Sequence, residues 1–292
     1  MDITQRSADK WIVDFAEFSE VDASLFETPF AHVLANVKPE RMLVARERRR
    51  RFWWQFNETA PGMRAALHKL ERFIATPETP TYTLFSWQPA GVIPDKNLVV
   101  IARADDVTFG ILTSRFHIAW VRALGSPYGN HPTARRYNSS RVFETFPFPS
   151  GLTPRDTVPV IPAEAGIRSA QPWTPACAGV TAEVIAAAAR RLDELREAWL
   201  NPAEWVDWVI TPEEEKAGFP KRPVAKPGHE ADLKKRTLTN LYNARPAWLD
   251  LAQKQLDQAV AAAYGWPDYS PEMPDDEILR RLLALNLERA AR

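Results

Sequence analysis

Cysteine and long apolar runs are scarce in this sequence. Cys177 is the one cysteine among 292 residues, so an internal disulfide and a thiolate-rich zinc site are both excluded. No stretch reaches the roughly 18 uninterrupted apolar residues that a membrane span needs. The N-terminus also lacks the apolar run of a signal peptide. We therefore expect a cytoplasmic protein with no membrane partner.

Motifs that carry chemistry are missing as well. The five histidines, at positions 32, 68, 117, 131 and 229, include no pair at i, i+4 spacing, which argues against a metal site. There is no glycine-rich cofactor turn, Asn-Pro-Pro-aromatic motif, phosphate loop or nucleophile elbow. The sequence therefore predicts no metal, no catalytic residue and no cofactor in this chain, which we expect to be inactive alone.

Net charge is also absent, but the charges that cancel are unevenly placed. The chain has 37 Lys and Arg against 37 Asp and Glu. Residues 41–72 nevertheless hold nine Lys or Arg against three Glu, and residues 110–142 hold five arginines and no carboxylate. Because strand-like sequence separates the two basic segments, folding could bring them together. We therefore predict one continuous basic face that binds a polyanion.

The first basic segment contains ERRRRFWWQF, residues 47–56. Successive helical residues advance about 100°, so Arg48–Arg51 would cover the whole circumference and could not share a dry face. One interpretation is a solvated turn paired with Glu47 and nearby acids. The other is a set of DNA phosphate contacts, which the scarcity of acids and the adjacent Trp53 and Trp54 favour. We expect these two tryptophans to brace the arginines against the core and not to stack on flipped bases. The predicted phosphate contacts are Arg46, Arg48, Arg49, Arg50 and Arg51.

The second basic segment surrounds GSPYGNHPTARRYNSS, residues 125–140, whose composition predicts a loop. Arginine pairs bidentately with guanine in the major groove, and asparagine pairs in the same way with adenine. These residues can therefore read base edges, or they can be idle residues of a surface loop. The predicted base contacts are Arg115, Arg135, Arg136, Asn138 and Arg141.

The periodicity of the chain predicts an α+β fold, with a mixed first half and a mainly helical second half. Strand-like runs cover Lys10–Phe18, Thr81–Trp87 and Asn97–Arg103. Helical spacing covers Glu40–Phe56, Met63–Ala75 and Thr108–Leu124 in the first half. In the second half we predict helices over Ala182–Leu200, over Pro246–Tyr264 and from Asp275, interrupted by a Pro-rich connector over Lys216–Asp232.

Residues 154–181 differ in composition from the rest of the chain. They are rich in Pro, Ala and Gly and poor in charge. The segment resembles the translated product of an interspersed bacterial DNA repeat, with VIPAEAGI followed by a spacer and AGVT. We expect an insertion or linker with no chemistry of its own.

Several ordered segments carry a resemblance to a known family. They are SADKWIVDF, ASLFETPFAHVLANVKPER, RFIATP, FGILTSRFHIAWVRALGS, RYNSSRVFETFPFP, TLTNLYNARPAWL, LDQAVAAAYGWP and DDEILRRLLALNLERAA. Together they resemble the C-terminal part of MmeI-like class I adenine DNA methyltransferases, which also occur as fused restriction-modification enzymes. The resemblance spans most of the chain outside the repeat-like segment.

The resemblance implies a domain organisation and a function. Residues 1–152 would be a DNA target recognition domain, 153–181 an insertion or linker, and 182–292 a helical C-terminal domain. The chain would be the sequence-recognition module of a site-specific adenine-N6 DNA methyltransferase of a restriction-modification system, without its methyltransferase and nuclease regions. S-adenosylmethionine would be expected only in the missing methyltransferase domain. The family's base-reading residues would fall within Arg115–Arg141.

The implied partner is double-stranded DNA, together with a separate methyltransferase chain if one is encoded. Two other classes remain open from the residues. The chain could be a protein-docking subunit with only incidental nucleic-acid contact. It could also bind RNA through exposed aromatic rings, although no repeated aromatic strand motif is present.

Overall fold

The structure is a computed structural model of the chain, and it divides into two compact units. One unit is Ser7–His68, and the other combines Met1–Arg6 with Lys69–Arg292. The structure describes residues 3–4, 6, 11–129, 134–157, 176–216 and 218–291, except for the side chains of 176–180. The contact-based division falls at residue 68, whereas the predicted recognition domain ends at 152. That predicted boundary stays a prediction.

The unit Ser7–His68 is helical in its described part. Its helices are α1 (Glu20–Ser24), α2 (Glu27–Asn36), α3 (Lys38–Met42), α4 (Glu47–Arg51) and α5 (Pro61–Leu67). Ser19 begins α1 by accepting a hydrogen bond from the Asp22 amide at 3.1 Å. A small aromatic core holds the helices together, and Phe15, Val33, Trp53 and Trp54 are buried in it.

Two predictions for this unit are wrong. Residues 11–18 form no strand, and the single helix predicted over Glu40–Phe56 is broken into α3 and α4. The physical reason for the break lies in Arg50. Its guanidinium donates to the carbonyl oxygens of Val44 and Ala45 at 2.7 and 2.9 Å, which satisfies acceptors that a continuous helix would have used.

The second unit begins with a three-stranded antiparallel sheet. Its strands are β1 (Arg72–Pro77), β2 (Ser86–Pro89) and β3 (Leu98–Ile101), with β1 in the centre. The register pairs Ile74 with Trp87 on one side and with Ile101 on the other. The helix predicted over Met63–Ala75 is therefore wrong beyond Leu67. Because β1 is buried on both faces, it lacks the alternating pattern that marks a half-exposed strand.

Two helices and a hairpin follow the sheet. They are α6 (Asp106–Thr113), α7 (Arg115–Leu124), β4 (Ser126–Pro127) and β5 (Arg135–Arg136), followed by a π-helical turn over Ser139–Phe143. The helix predicted over Thr108–Leu124 is interrupted at Ser114, whose backbone is extended. Asp105 caps α6 by accepting from the Thr108 amide at 2.8 Å.

The second half of the chain is mainly helical, as predicted. Its elements are α8 (Ala176–Leu200), β6 (Val206–Val209), α9 (Pro212–Lys216), β7 (Arg222–Ala225), α10 (Glu230–Lys235), α11 (Leu238–Ala244), α12 (Ala247–Ala263) and α13 (Asp275–Ala290). The predicted connector over Lys216–Asp232 instead contains β7, which pairs with β6. None of the helices in the described ranges is long and apolar enough to cross a membrane. The α+β class is confirmed.

One apolar core unites the sheet, α6 and α7 with the C-terminal helices. It includes Ile74, Phe109, Leu192, Leu256 and Leu282, all buried. Gly110 shows how closely α6 and α8 approach, because a Cβ there would lie 2.8 Å from Ile185 Cγ2. The recognition part predicted from sequence and the helical part therefore share a core.

Most of the repeat-like segment lies outside the described residues, which omit 158–175. Its described ends belong to the fold. The backbone of Ala176–Thr181 is part of α8, and the Arg103 guanidinium donates to Thr157 Oγ1 at 2.6 Å. The expectation that the segment is an insertion stays a prediction.

Candidate nucleic-acid interface

The first basic segment forms helix α4 and its N-cap residue Arg46. We call Arg46–Arg51 the arginine helix. Arg46, Arg48 and Arg51 are exposed, and Arg49 and Arg50 are half-buried. Within the described part of the chain, none of these five guanidinium groups lies within ion-pair distance of a carboxylate. The alternative of a solvated turn neutralised by Glu47 therefore finds no support in the structure.

The arginines of the arginine helix contact neutral groups and not carboxylates. Arg48 Nε donates to the Asn57 carbonyl at 3.0 Å, and Arg49 Nε donates to Asn57 Oδ1 at 3.2 Å. The guanidinium groups of Arg48 and Arg51 lie 5.4 and 5.3 Å from the centre of the Phe52 ring. These contacts orient the side chains but add no carboxylate, so the described residues leave their positive charge uncompensated.

Trp53 and Trp54 anchor the arginine helix to the core of the unit. Their side chains are only 3% and 8% exposed. Trp53 Nε1 donates to Glu20 Oε1 at 3.2 Å, and Trp54 Nε1 donates to the Phe18 carbonyl at 2.9 Å. Both rings therefore brace the helix and are not available to stack on nucleic-acid bases. This agrees with the interpretation drawn from the sequence.

Arg115, at the start of α7, is committed to contacts within the protein. Its Nε donates to Asp275 Oδ1 at 2.9 Å, while Nη1 and Nη2 donate to the carbonyls of Pro271 and Met273 at 2.8 and 2.6 Å. Its backbone amide donates to Asp257 Oδ1 at 2.8 Å. A base contact would require breaking these bonds. The role predicted for Arg115 therefore stays a prediction, and in this structure Arg115 ties α7 to the C-terminal helices.

Arg135 and Arg136 lie on β5 and face different surroundings. Arg135 is half-buried, and its Nε donates to the Arg122 carbonyl at the end of α7 at 3.1 Å. Arg136 is half-exposed and lies 3.4 Å from Glu78 Oε1, with its guanidinium 6.0 Å from the Tyr128 ring centre. An exposed ion pair of this length contributes little, so Arg136 can exchange it for another acceptor.

Asn138 and Arg141 flank the start of the π-helical turn. Asn138 Oδ1 caps this turn by accepting from the amides of Ser140 and Arg141 at 3.1 and 3.2 Å. A bidentate contact to adenine would need the same oxygen, so Asn138 can offer only its amide nitrogen while the cap is intact. Arg141 is exposed and, among the described residues, makes no side-chain ion pair or hydrogen bond.

Tyr137 anchors the second basic segment to the core. It is 1% exposed and lies between Arg136 and Asn138 in the chain. Its hydroxyl is 3.0 Å from His117 Nε2 on α7, and its ring packs edge-on against Phe85 at 5.6 Å. Gly125 allows the same close approach at the end of α7, because a Cβ there would lie 2.9 Å from Arg135 Cβ. Tyr137 therefore gives rigid support to a short row of polar side chains on the surface. We call Arg136, Asn138 and Arg141 the polar row.

The buried His117 makes this anchor sensitive to acid. Burial lowers the pKa of His117 to about 3, far below the value near 6.5 in an unfolded chain. As the pH falls below 6.5, the unfolded chain takes up a proton that the folded chain does not. The stabilising contribution of neutral His117 is therefore complete above pH 6.5 and is lost as the pH falls towards 3.

We expect His117→Gln to reduce this acid sensitivity. Between pH 7 and pH 5, the wild-type free energy of unfolding should fall by about 2 kcal/mol relative to that of the variant. Urea denaturation of both proteins at the two pH values measures the difference. Other titrating groups contribute equally to both proteins. If the difference in unfolding free energy between wild type and variant is the same at pH 7 and pH 5, His117 is not buried in its neutral form.

The predicted phosphate and base contacts lie in different compact units. The arginine helix belongs to Ser7–His68, and Arg115–Arg141 belong to the other unit. One continuous basic face therefore stays a prediction. No cluster of three or more His, Cys, Asp or Glu in the described ranges is arranged to hold a metal ion.

This chain is similar to known proteins in both sequence and fold. Residues 30–150 match the family model described as "MmeI, target recognition domain". No match was found among the curated proteins. The fold is similar to that of a solved structure of the Type IIL restriction-modification enzyme MmeI in complex with DNA, with a TM-score of 0.58 and 16% sequence identity. That likeness covers 94% of this chain and 28% of the MmeI chain.

The match to this family model confirms the resemblance seen in the sequence. The matched segment, residues 30–150, contains the arginine helix and every residue predicted to contact bases.

Proposed function

We propose that this chain recognises a specific DNA sequence for a restriction-modification enzyme. The observation that carries the proposal is the position of the basic residues within the family match. Both the uncompensated arginine helix and the polar row after α7 fall inside residues 30–150. The likeness to MmeI in a DNA complex supports the same assignment.

Within this proposal, the two basic segments have different tasks. Arg46, Arg48 and Arg51 supply sequence-independent contacts to phosphates, because they are exposed and have no carboxylate partner among the described residues. Arg136 and Arg141 approach the edges of DNA bases, and the buried Tyr137 between them in the chain gives both arginines a rigid support. Arg135 and Asn138 shape this surface through their contacts to the Arg122 carbonyl and the π-helical turn.

The finer assignment follows from the resemblance. We propose that the enzyme is a site-specific adenine-N6 DNA methyltransferase, and that S-adenosylmethionine and the catalytic residues belong to a methyltransferase domain outside this chain. The chain spans 28% of the length of the MmeI chain that it resembles. The target adenine would leave the duplex and enter that other domain.

A selection from a random duplex library tests the recognition function. Wild-type protein should enrich a defined motif. Replacing Arg136 and Arg141 with alanine should weaken the preference at one or two base pairs by about 1–3 kcal/mol each, with little change in affinity for random duplex. The matched control is Arg191→Ala with Arg280→Ala, two exposed arginines on α8 and α13 that each pair with a glutamate of the same helix. An equal loss on all sequences would assign Arg136 and Arg141 to phosphates instead.

A protein-docking function is the second candidate, and exposed apolar residues favour it. In the unit Ser7–His68, Val21, Leu25 and Leu43 are 74%, 75% and 89% exposed. Binding to random duplex at several salt concentrations separates the two functions. A steep fall of affinity with salt supports DNA binding, whereas a flat response supports docking on another protein.

A further inference from the structure

A cavity of about 220 Å³ lies in the unit that contains Lys69–Arg292. Four arginines from three helical regions converge on it. Arg115 and Arg122 come from α7, Arg196 comes from α8, and Arg245 lies at the C-cap of α11. Among the described residues that line the cavity, Asp257 is the one carboxylate.

Arginines at the cavity outnumber the carboxylates that pair with them. Arg115 and Arg122 share Asp275, at N–O distances of 2.8 and 3.3 Å. Arg245 shares Asp250 with Lys254, at 2.9 and 2.8 Å. Each of these two groups of three therefore carries one net positive charge.

The outer arginines also keep unused hydrogen-bond donors. The side chains of Arg122 and Arg245 are 49% and 59% exposed. A guanidinium carries five N–H donors, and the observed ion pairs occupy only some of them. These side chains can therefore bind a further anion without giving up their carboxylates.

Arg196 adds a buried guanidinium to the cavity wall. It is 2% exposed, donates to the Tyr242 hydroxyl and lies 3.4 Å from the Phe85 carbonyl. Its Nε has no hydrogen-bond partner among the described residues. Arg196 also interacts electrostatically with Asp193 and Glu197, whose pKa values burial raises to about 6 and about 7. A buried donor left unpaired is unfavourable, and an anion in the cavity would lessen this deficit.

We propose that this cavity binds one phosphate oxyanion. Its volume is smaller than the about 300–1,000 Å³ of pockets for drug-sized ligands, so it suits a single phosphate group better than a whole cofactor. The planar fork of arginine matches the geometry of phosphate oxygens. The proposal of an anion site depends only on the residues that line the cavity. Its occupant in the working enzyme, a backbone phosphodiester of the duplex, rests on the proposed function.

Inorganic phosphate tests the site without DNA. The test variant of the full chain is Arg122→Gln with Arg245→Gln, and the control is Arg191→Gln with Arg280→Gln, which removes the same charge from exposed Arg–Glu pairs. At constant ionic strength, calorimetry should show phosphate binding to wild type and control, with at least tenfold weaker binding to the test variant. Absence of binding to wild type, or equal binding to all three proteins, overturns the site. Circular dichroism of each variant confirms that it is folded.

A salt titration with duplex DNA then identifies the occupant. Although the test variant loses two charges, it should lose one phosphate contact, and the log–log salt slope should become shallower by about 0.9. An unchanged slope would assign the cavity to free phosphate and overturn the phosphodiester occupant. A change of about 1.8 would place the two arginines on separate phosphates and overturn the shared site. If wild type binds no duplex at all, the proposed function fails, while the phosphate titration still decides the anion site.

Discussion

Replacing Arg46, Arg48 and Arg51 with glutamine lowers the affinity for random-sequence duplex DNA by about two to three orders of magnitude at 0.1 M salt. The expected size follows from counterion release, because each phosphate contact contributes about −0.9 to the slope of log affinity against log salt. Three lost contacts make the slope shallower by about 2.7. Fluorescence anisotropy with a labelled duplex at four or more salt concentrations measures both quantities.

The effect should depend on where the charges lie and not on net charge alone. The matched control is Arg191→Gln, Lys235→Gln and Arg280→Gln, which removes three cations from exposed i, i+3 pairs on α8, α10 and α13. This control should change the slope by less than one unit. Equal losses in both triple variants would contradict a phosphate-binding role for the arginine helix and indicate a general effect of protein charge.

Trp53→Ala strongly destabilises the unit that carries the arginine helix. Trp53 is 3% exposed and packs against Phe30 and Trp54, with ring centres 5.4 and 5.8 Å away. Replacing a buried tryptophan with alanine costs about 3–5 kcal/mol. A unit the size of Ser7–His68 has a total stability of only about 3–9 kcal/mol at typical values per residue. The substitution therefore removes between about a third and all of the stability of this unit.

Hydrogen exchange with mass spectrometry localises the unfolding. Peptides from residues 20–54 should lose protection in Trp53→Ala, while peptides from α6 and α7 keep it. Trp208→Ala is the control, because Trp208 is 44% exposed and its loss removes little buried surface. Retained protection in residues 20–54 would contradict the bracing role of Trp53.

The two substitutions should also be coupled. If Trp53 orders the arginine helix for phosphate binding, then adding Trp53→Ala to the triple glutamine variant causes little further loss of DNA affinity. Independent losses would mean that Trp53 supports DNA binding by a route other than the arginine helix.

Much of the fold could be predicted from the sequence, because long amphipathic helices carry their signal locally. The helix over Pro246–Tyr264 and the one from Asp275 correspond to α12 and α13. The wrong secondary-structure predictions also have identifiable causes. The central strand β1 has both faces buried and shows no alternation, and the β6–β7 hairpin joins segments on either side of α9. Nothing in the periodicity of either segment revealed its partner.

The candidate site was predictable as a set of residues but not as a set of contacts. The sequence identified both basic segments and the family resemblance. It also suggested that Trp53 and Trp54 brace the arginine helix. It could not show that Arg115 bonds to Asp275, some 160 positions away, or that Asn138 caps a π-helical turn. The convergence of four arginines on the cavity was missed, because Arg196 and Arg245 lie far from Arg122 in the chain and belong to no motif.

By itself, the sequence determined where positive charge accumulates, in which segments apolar residues recur with a helical period, and which family the chain resembles. These properties depend on residue identity and on neighbours within a few positions. The tertiary structure decided which arginines keep their charge uncompensated and which are consumed by internal bonds. Whether a guanidinium meets a carboxylate depends on long-range packing, and an arginine in a sequence is the same residue in either case.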